Sequence, residues 1–91
     1  MAHLLIRHKV EDYARWKPFF DQNDSVRRAN GGGDYQLFRS ANDPNEIVVL
    51  FDWDNLRNAQ RFAESSDLRQ VMQQAGVIGR PDVAYLNDEL H

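Results

Sequence analysis

Glu46-Ile47-Val48-Val49-Leu50-Phe51-Asp52-Trp53-Asp54 is the densest run of β-branched and aromatic residues in the chain. Its five consecutive apolar residues, Ile47 to Phe51, are too few for a buried helix, and the turn cluster Asn42-Asp43-Pro44-Asn45 stands directly before them, so the stretch reads as a strand. Side chains alternate across a strand, so Ile47, Val49, Phe51 and Trp53 share one face while Val48 and Leu50 share the other. Both faces are apolar, and a strand wet on one side has no need of that. Helices from the same chain can cover one face, and a second copy of the chain is the expected cover of the other.

On the N-terminal side of this strand, Asp34 to Ser40 reads as a partner, with Tyr35, Leu37 and Arg39 on one face and Gln36 and Phe38 on the other. The 42–45 cluster then makes the pair a β-hairpin with a loop of several residues. Before it, Gly31-Gly32-Gly33 after Asn30 supplies the left-handed stop of a helix. The run follows a helix and lacks both GxGxxG and GxxxxGK[ST] spacing, so a phosphate loop is not indicated.

That helix begins at Asp12, whose carboxylate suits an N-cap, and its stripe reads as Tyr13, Trp16, Phe20 and Val26. Pro18 lies inside it, which predicts a kink near 14–18 or two short helices meeting there. Ahead of it, residues 3–10 form a first strand, with Leu4, Ile6, His8 and Val10 on one face and His3, Leu5, Arg7 and Lys9 on the other. The increasingly polar second face predicts that the end of this strand reaches a rim.

On the C-terminal side, Asp54 or Asn55 caps a helix with Leu56, Ala59 and Phe62/Ala63 as its buried stripe. Ser65-Ser66-Asp67 interrupts it, because these side chains compete for backbone groups. A further helix presents Leu68, Val71, Met72 and Ala75 until Gly76 ends it. Asp82 to Asn87 reads as the last strand, followed by a mobile acidic tail to His91. The order βαββαβ predicts a ferredoxin-like α+β fold: one antiparallel sheet of four strands, the first and third central, with the helical segments on one face.

A chain of 91 residues is expected to form one domain over 1–91, and one this small buries only about 60–65% of its unfolded surface, which favours oligomerisation. The absence of cysteine removes disulfides, thiolate metal sites and a cysteine nucleophile together, and it fits a reducing compartment. No leader or spanning segment is legible, so the cytoplasm is the expected location. A net charge of −3 with scattered basic residues predicts no nucleic-acid surface, and no basic amphipathic stretch predicts membrane binding.

The pattern Val10-x-Asp12-Tyr13-x-x-Trp16-Lys17-Pro18-x-Phe20-Asp21, then Gly33-x-Tyr35-x-Leu37-Phe38-Arg39, Asp43-Pro44-Asn45-Glu46 and Phe51-x-Trp53-Asp54, resembles a small subgroup of the antibiotic biosynthesis monooxygenase-like superfamily. That resemblance covers nearly the whole chain and implies the dimeric α+β barrel, in which two sheets pack across a homodimer interface with helices outside. It implies a ligand cavity between sheet and helices. The activities it brings are cofactor-independent oxidation of phenols or quinols, heme degradation, and cyclase or isomerase chemistry on small cyclic compounds. The heme branch uses a histidine on the second helical segment, and residues 55–75 contain none.

His8 is the candidate catalytic base, since an imidazole of near-neutral pKa can deprotonate a phenol at a cavity rim; the alternative is a structural strand-end histidine. His3 and His91 lie near the termini, and the three histidines have no spacing that assembles a metal site. Trp16, Phe20, Phe51, Trp53 and Phe62 are candidate walls of an aromatic ligand site, or else ordinary core. Tyr35 and Arg39 share a face and suit either a ligand oxyanion or carboxylates of a partner subunit. With no metal and no bound cofactor expected, two functions compete: a monooxygenase acting on a small aromatic or quinol metabolite, and a non-catalytic ligand-binding or structural dimer. Cyclase or isomerase chemistry shares the same pocket. A roomy pocket holding His8 beside Trp16 or Trp53 favours catalysis, and a closed cavity without convergent polar groups favours the second.

Overall fold

A computed structural model describes residues 1–89. The elements are β1 (Ala2–Val10), α1 (Tyr13–Gln22), α2 (Asp24–Ala29), β2 (Gly32–Arg39), β3 (Glu46–Trp53), α3 (Leu56–Ala63), α4 (Ser66–Gln74) and β4 (Val77–Asn87). The strands form one antiparallel sheet in the order β2-β3-β1-β4, with β1 and β3 central as the βαββαβ order predicts. No helix is long and apolar enough to cross a membrane.

The sheet register follows from the turn chemistry. Asp43 accepts from the Asn45 amide at 3.0 Å while the Glu46 amide returns to the Asp43 carbonyl at 3.0 Å, so the chain reverses and Arg39 comes to face Ile47. Asn45 also accepts from the Tyr13 amide at 3.0 Å, which ties the hairpin turn to the first turn of α1. Caps fall where small polar side chains stand free: Asp12 accepts from Ala14, Asn55 from Asn58 and Ser65 from Leu68. Gly31 and Gly76 take positive φ at the ends of α2 and α4.

Alternation sorts the two sheet faces. Leu4, Ile6, His8 and Val10 of β1 and Ile47, Val49, Phe51 and Trp53 of β3 are buried under the helices. The opposite face aligns Phe38, Val48 and Arg7 in one row and Gln36, Leu50, Leu5 and Ala84 in the next. Val48 and Leu50 are half-buried there, and Phe38 is 51% exposed.

Four local expectations change. Helix α1 runs through Pro18, and the break falls five residues later at Asn23. Ala14 and Pro18 are both exposed, so water can meet the carbonyl that the proline leaves without a donor. Val26 is 44% exposed, because six residues on from Phe20 is off the buried face; seven on is Arg27, which is buried. The last strand begins at Val77 instead of Asp82. Gly79, at φ 72°, and Pro81 are absorbed in a bulge where the β1 register passes from Arg7–Asp82 to Lys9–Ile78. The tail is tied at Asp88, whose amide donates to the Met1 carbonyl at 3.2 Å and whose carboxylate meets His3. Residues 90 and 91, including His91, lie outside the described residues.

Candidate active site

The candidate site lies between the helix-covered face of β1 and β3 and the helices α1, α2 and α4. His8 projects from β1, whose alternation puts it in the same row as Ile6, and it is 6% exposed. It was expected at a rim and is found at depth, under Trp16, whose ring stands edge-on at 5.5 Å between centroids. Its Nδ1 is buried without a hydrogen-bond partner. Burial pushes the His8 pKa below the ordinary histidine value, a backbone hydrogen bond opposing, so the ring is neutral at neutral pH.

From His8 an aromatic file runs through the core. Trp16 stacks on Phe20 at 4.8 Å, Phe20 meets Tyr35 at 5.0 Å and Phe51 at 6.1 Å, Phe51 meets Trp53 at 5.9 Å, and Trp53 packs on Phe62 at 4.9 Å. The guanidinium of Arg27 is inserted into this file, 4.1 Å from the Phe20 centroid and within 5.6 Å of those of Tyr35 and Phe51. Arg27 is 3% exposed. It donates to the Phe20 carbonyl at 2.8 Å, one of the orphan carbonyls at the end of α1, and to Asp24 at 3.4 Å. Burial pushes its pKa down and Asp24 opposes this; a guanidinium stays charged all the same.

These residues enclose a cavity of about 40 Å3, lined by His8, Trp16, Phe20, Asn23, Arg27, Phe51 and Phe62 with aliphatic residues from the sheet and α4. Its walls are apolar except for one neutral imidazole, one amide and one cation. The volume admits a few waters at most and is far below the roughly 300–1,000 Å3 of ordinary small-molecule sites. Polar groups therefore converge, as catalysis requires, in a space that is small and partly open.

Of the residues singled out in the sequence, His8, Trp16, Phe20, Phe51 and Phe62 are brought together on the cavity wall. Trp53 is not. It is 1% exposed behind Phe51 and Phe62, its indole N–H donates to the Asn30 carbonyl at 2.9 Å, and a Cβ at Gly32 would approach its ring to 3.0 Å. Tyr35 flanks the file from the edge strand, 36% exposed. Arg39 lies away from the cavity, over the Tyr13 ring at 3.8 Å with Nε donating to the Pro44 carbonyl. Sequence reading missed Arg27 and Asn23; the seven-residue interval from Phe20 to Arg27 was the signal for the first. Asp52 pairs with His3 on the opposite face of the sheet, at 3.1 Å. Among the described residues no group of three or more His, Asp or Glu is arranged to hold a metal ion.

The chain has a ferredoxin-like α+β fold, and solved structures described as antibiotic biosynthesis monooxygenases share that fold. A candidate antibiotic biosynthesis monooxygenase from Bordetella bronchiseptica has a similar structure, with TM-score 0.78 and 20% identity over 98% of this chain and 97% of that one. SnoaB, a cofactor-independent oxygenase from Streptomyces nogalater, gives 0.76 at 13% identity, covering 99% and 94%. Rv0793 from Mycobacterium tuberculosis gives 0.71 at 16% identity, covering 99% and 96%. No family model matches the chain, and no curated protein matches it by sequence.

Proposed function

We propose that the protein is a cytoplasmic, homodimeric, cofactor-independent monooxygenase acting on a small phenol or quinol. The observation that carries this reading is the burial of an uncharged His8, with an unpartnered Nδ1, in the same aromatic cavity as the Arg27 guanidinium. A neutral imidazole can take the phenolic proton, and a buried cation stabilises the phenolate that results. Aromatic walls hold a flat ring and exclude water from the electron-rich anion. The co-reactant is molecular oxygen. A phenol C–H and O–H become a quinone with one oxygen atom inserted, the other oxygen leaves as water, and the substrate supplies all the electrons. The open sheet face, with Phe38, Val48 and Leu50, supports pairing of two copies into a dimeric barrel.

Oxygen uptake by the purified protein with a panel of naphthols and quinols tests the activity. Protein-dependent uptake that falls at least tenfold in His8→Phe is expected, a typical general-base contribution being about 10²–10⁴-fold. No uptake with any member overturns the reading. The small volume of the cavity favours the second function, a non-catalytic ligand-binding or structural dimer, and binding without oxygen uptake is its signature.

A further inference from the structure

Resting on that reading of the cavity, we infer that the cleft between α4 and β4 is an outer subsite for a carboxylate, so that the ligand is a hydroxylated aromatic acid. The cleft holds about 410 Å3 and is lined by Ile6, Leu68, Arg69, Met72, Arg80 and Val83. Ile6, Leu68 and Met72 also line the inner cavity, so a single layer of side chains separates the two spaces. Both ends of one ligand can therefore be served at once. The phenol end would lie toward His8 and Arg27, and the acid end toward Arg69 and Arg80.

Charge supports the occupant. Arg7, Arg15, Arg27 and Arg28 each pair with a carboxylate, whereas Arg69 and Arg80, like Arg39, Arg57 and Arg61, meet none among the described residues, and of these five only Arg69 and Arg80 line the cleft. Two arginines in a lining that also holds Ile6, Leu68, Met72 and Val83 match a planar anion joined to a hydrophobic body, and guanidinium forks suit carboxylates in particular. They also raise the local concentration of such anions at the mouth. The wall itself is movable. Met72 is half-buried and unbranched, the member of the dividing layer best able to change rotamer and let a ligand reach from cleft to cavity. The inner space takes the phenol edge of the ring between its aromatic walls, and the cleft supplies the volume that the rest of the ligand needs.

Calorimetric titration of the full chain with 6-hydroxy-2-naphthoate and with 2-naphthol tests this. The naphthoate is expected to bind about tenfold tighter than the naphthol, with a preference that weakens as salt rises. Arg69→Gln and Arg80→Gln are each expected to remove up to about fivefold of that preference, the scale of one partly exposed ion pair. Arg57→Gln, which removes a charge on α3 away from the cleft, is expected to retain it. Naphthol binding with no preference for the acid, or a preference that both variants keep, overturns the carboxylate subsite and leaves the proposed function standing. Naphthoate binding that needs both arginines, with no binding of naphthol, supports the subsite and overturns the inner cavity as a phenol site. Failure of both probes to bind overturns both.

Discussion

Arg27 places its guanidinium 4.1 Å from the centre of the Phe20 ring and donates to the carbonyl of that same residue at 2.8 Å. One side chain thus closes the end of α1 and charges the wall of the cavity. Arg27→Met keeps much of the volume and leaves the Phe20 carbonyl without its donor. A loss of about 1–3 kcal/mol in urea unfolding is expected. Binding of an ionised naphthol is expected to weaken tenfold or more while that of naphthalene is retained; equal losses for both would assign Arg27 to packing alone.

His8 makes stability depend on pH with a definite sign. Its folded pKa lies below 6.5, so the unfolded chain binds the proton more readily. The stability that the neutral ring contributes is complete above about pH 6.5 and is lost as pH falls from there through the folded pKa. Thermal unfolding of His8→Phe is expected to show a flatter decline between pH 7 and pH 5 than the parent.

His3 has the opposite slope. Its pKa is raised, chiefly by the hydrogen bond to Asp88, so its contribution is complete below the ordinary histidine value and is lost as pH rises through the folded pKa. His3→Gln is expected to remove a small decline above neutrality, read from melting temperature against pH; an unchanged profile would show that the exposed cluster contributes nothing.

Trp53→Phe removes the indole donor to Asn30 and leaves a void behind Phe62. A destabilisation of about 2–4 kcal/mol is expected, with ligand affinity of the folded variant unaltered. A large loss of affinity without loss of stability would return Trp53 to the ligand site.

Phe38→Asp tests the open face. The residue is half exposed, so the fold of the monomer should be kept and its pairing lost. Light scattering after size exclusion is expected to give a dimer for the parent and a monomer for the variant. A parent that is monomeric at micromolar concentration removes the barrel.

Much of the architecture was legible because it is local. Alternation in 46–53, the Asp43-Pro44 turn and the caps at Asp12, Asn55 and Ser65 are short-range choices that the packed structure keeps. What was not legible depends on depth. Arg27 reads as a surface residue by its charge, and the packed aromatic rings, the Phe20 carbonyl and Asp24 make its burial tolerable. Trp53 and Phe51 share one face of one strand, yet only Phe51 reaches the cavity, because position along the strand does not reveal where the space above it lies. Gly79 and Pro81 read as breakers of a strand that in fact accommodates them.

The irregularity they create has a consequence at the border of the sheet. Strand β4 is outermost, and a straight β4 would offer a continuous ladder of free amides to any extended chain nearby. Gly79 bends that ladder and Pro81 deletes a donor from it, so this edge of the sheet is a poorer template for a further strand than a regular one.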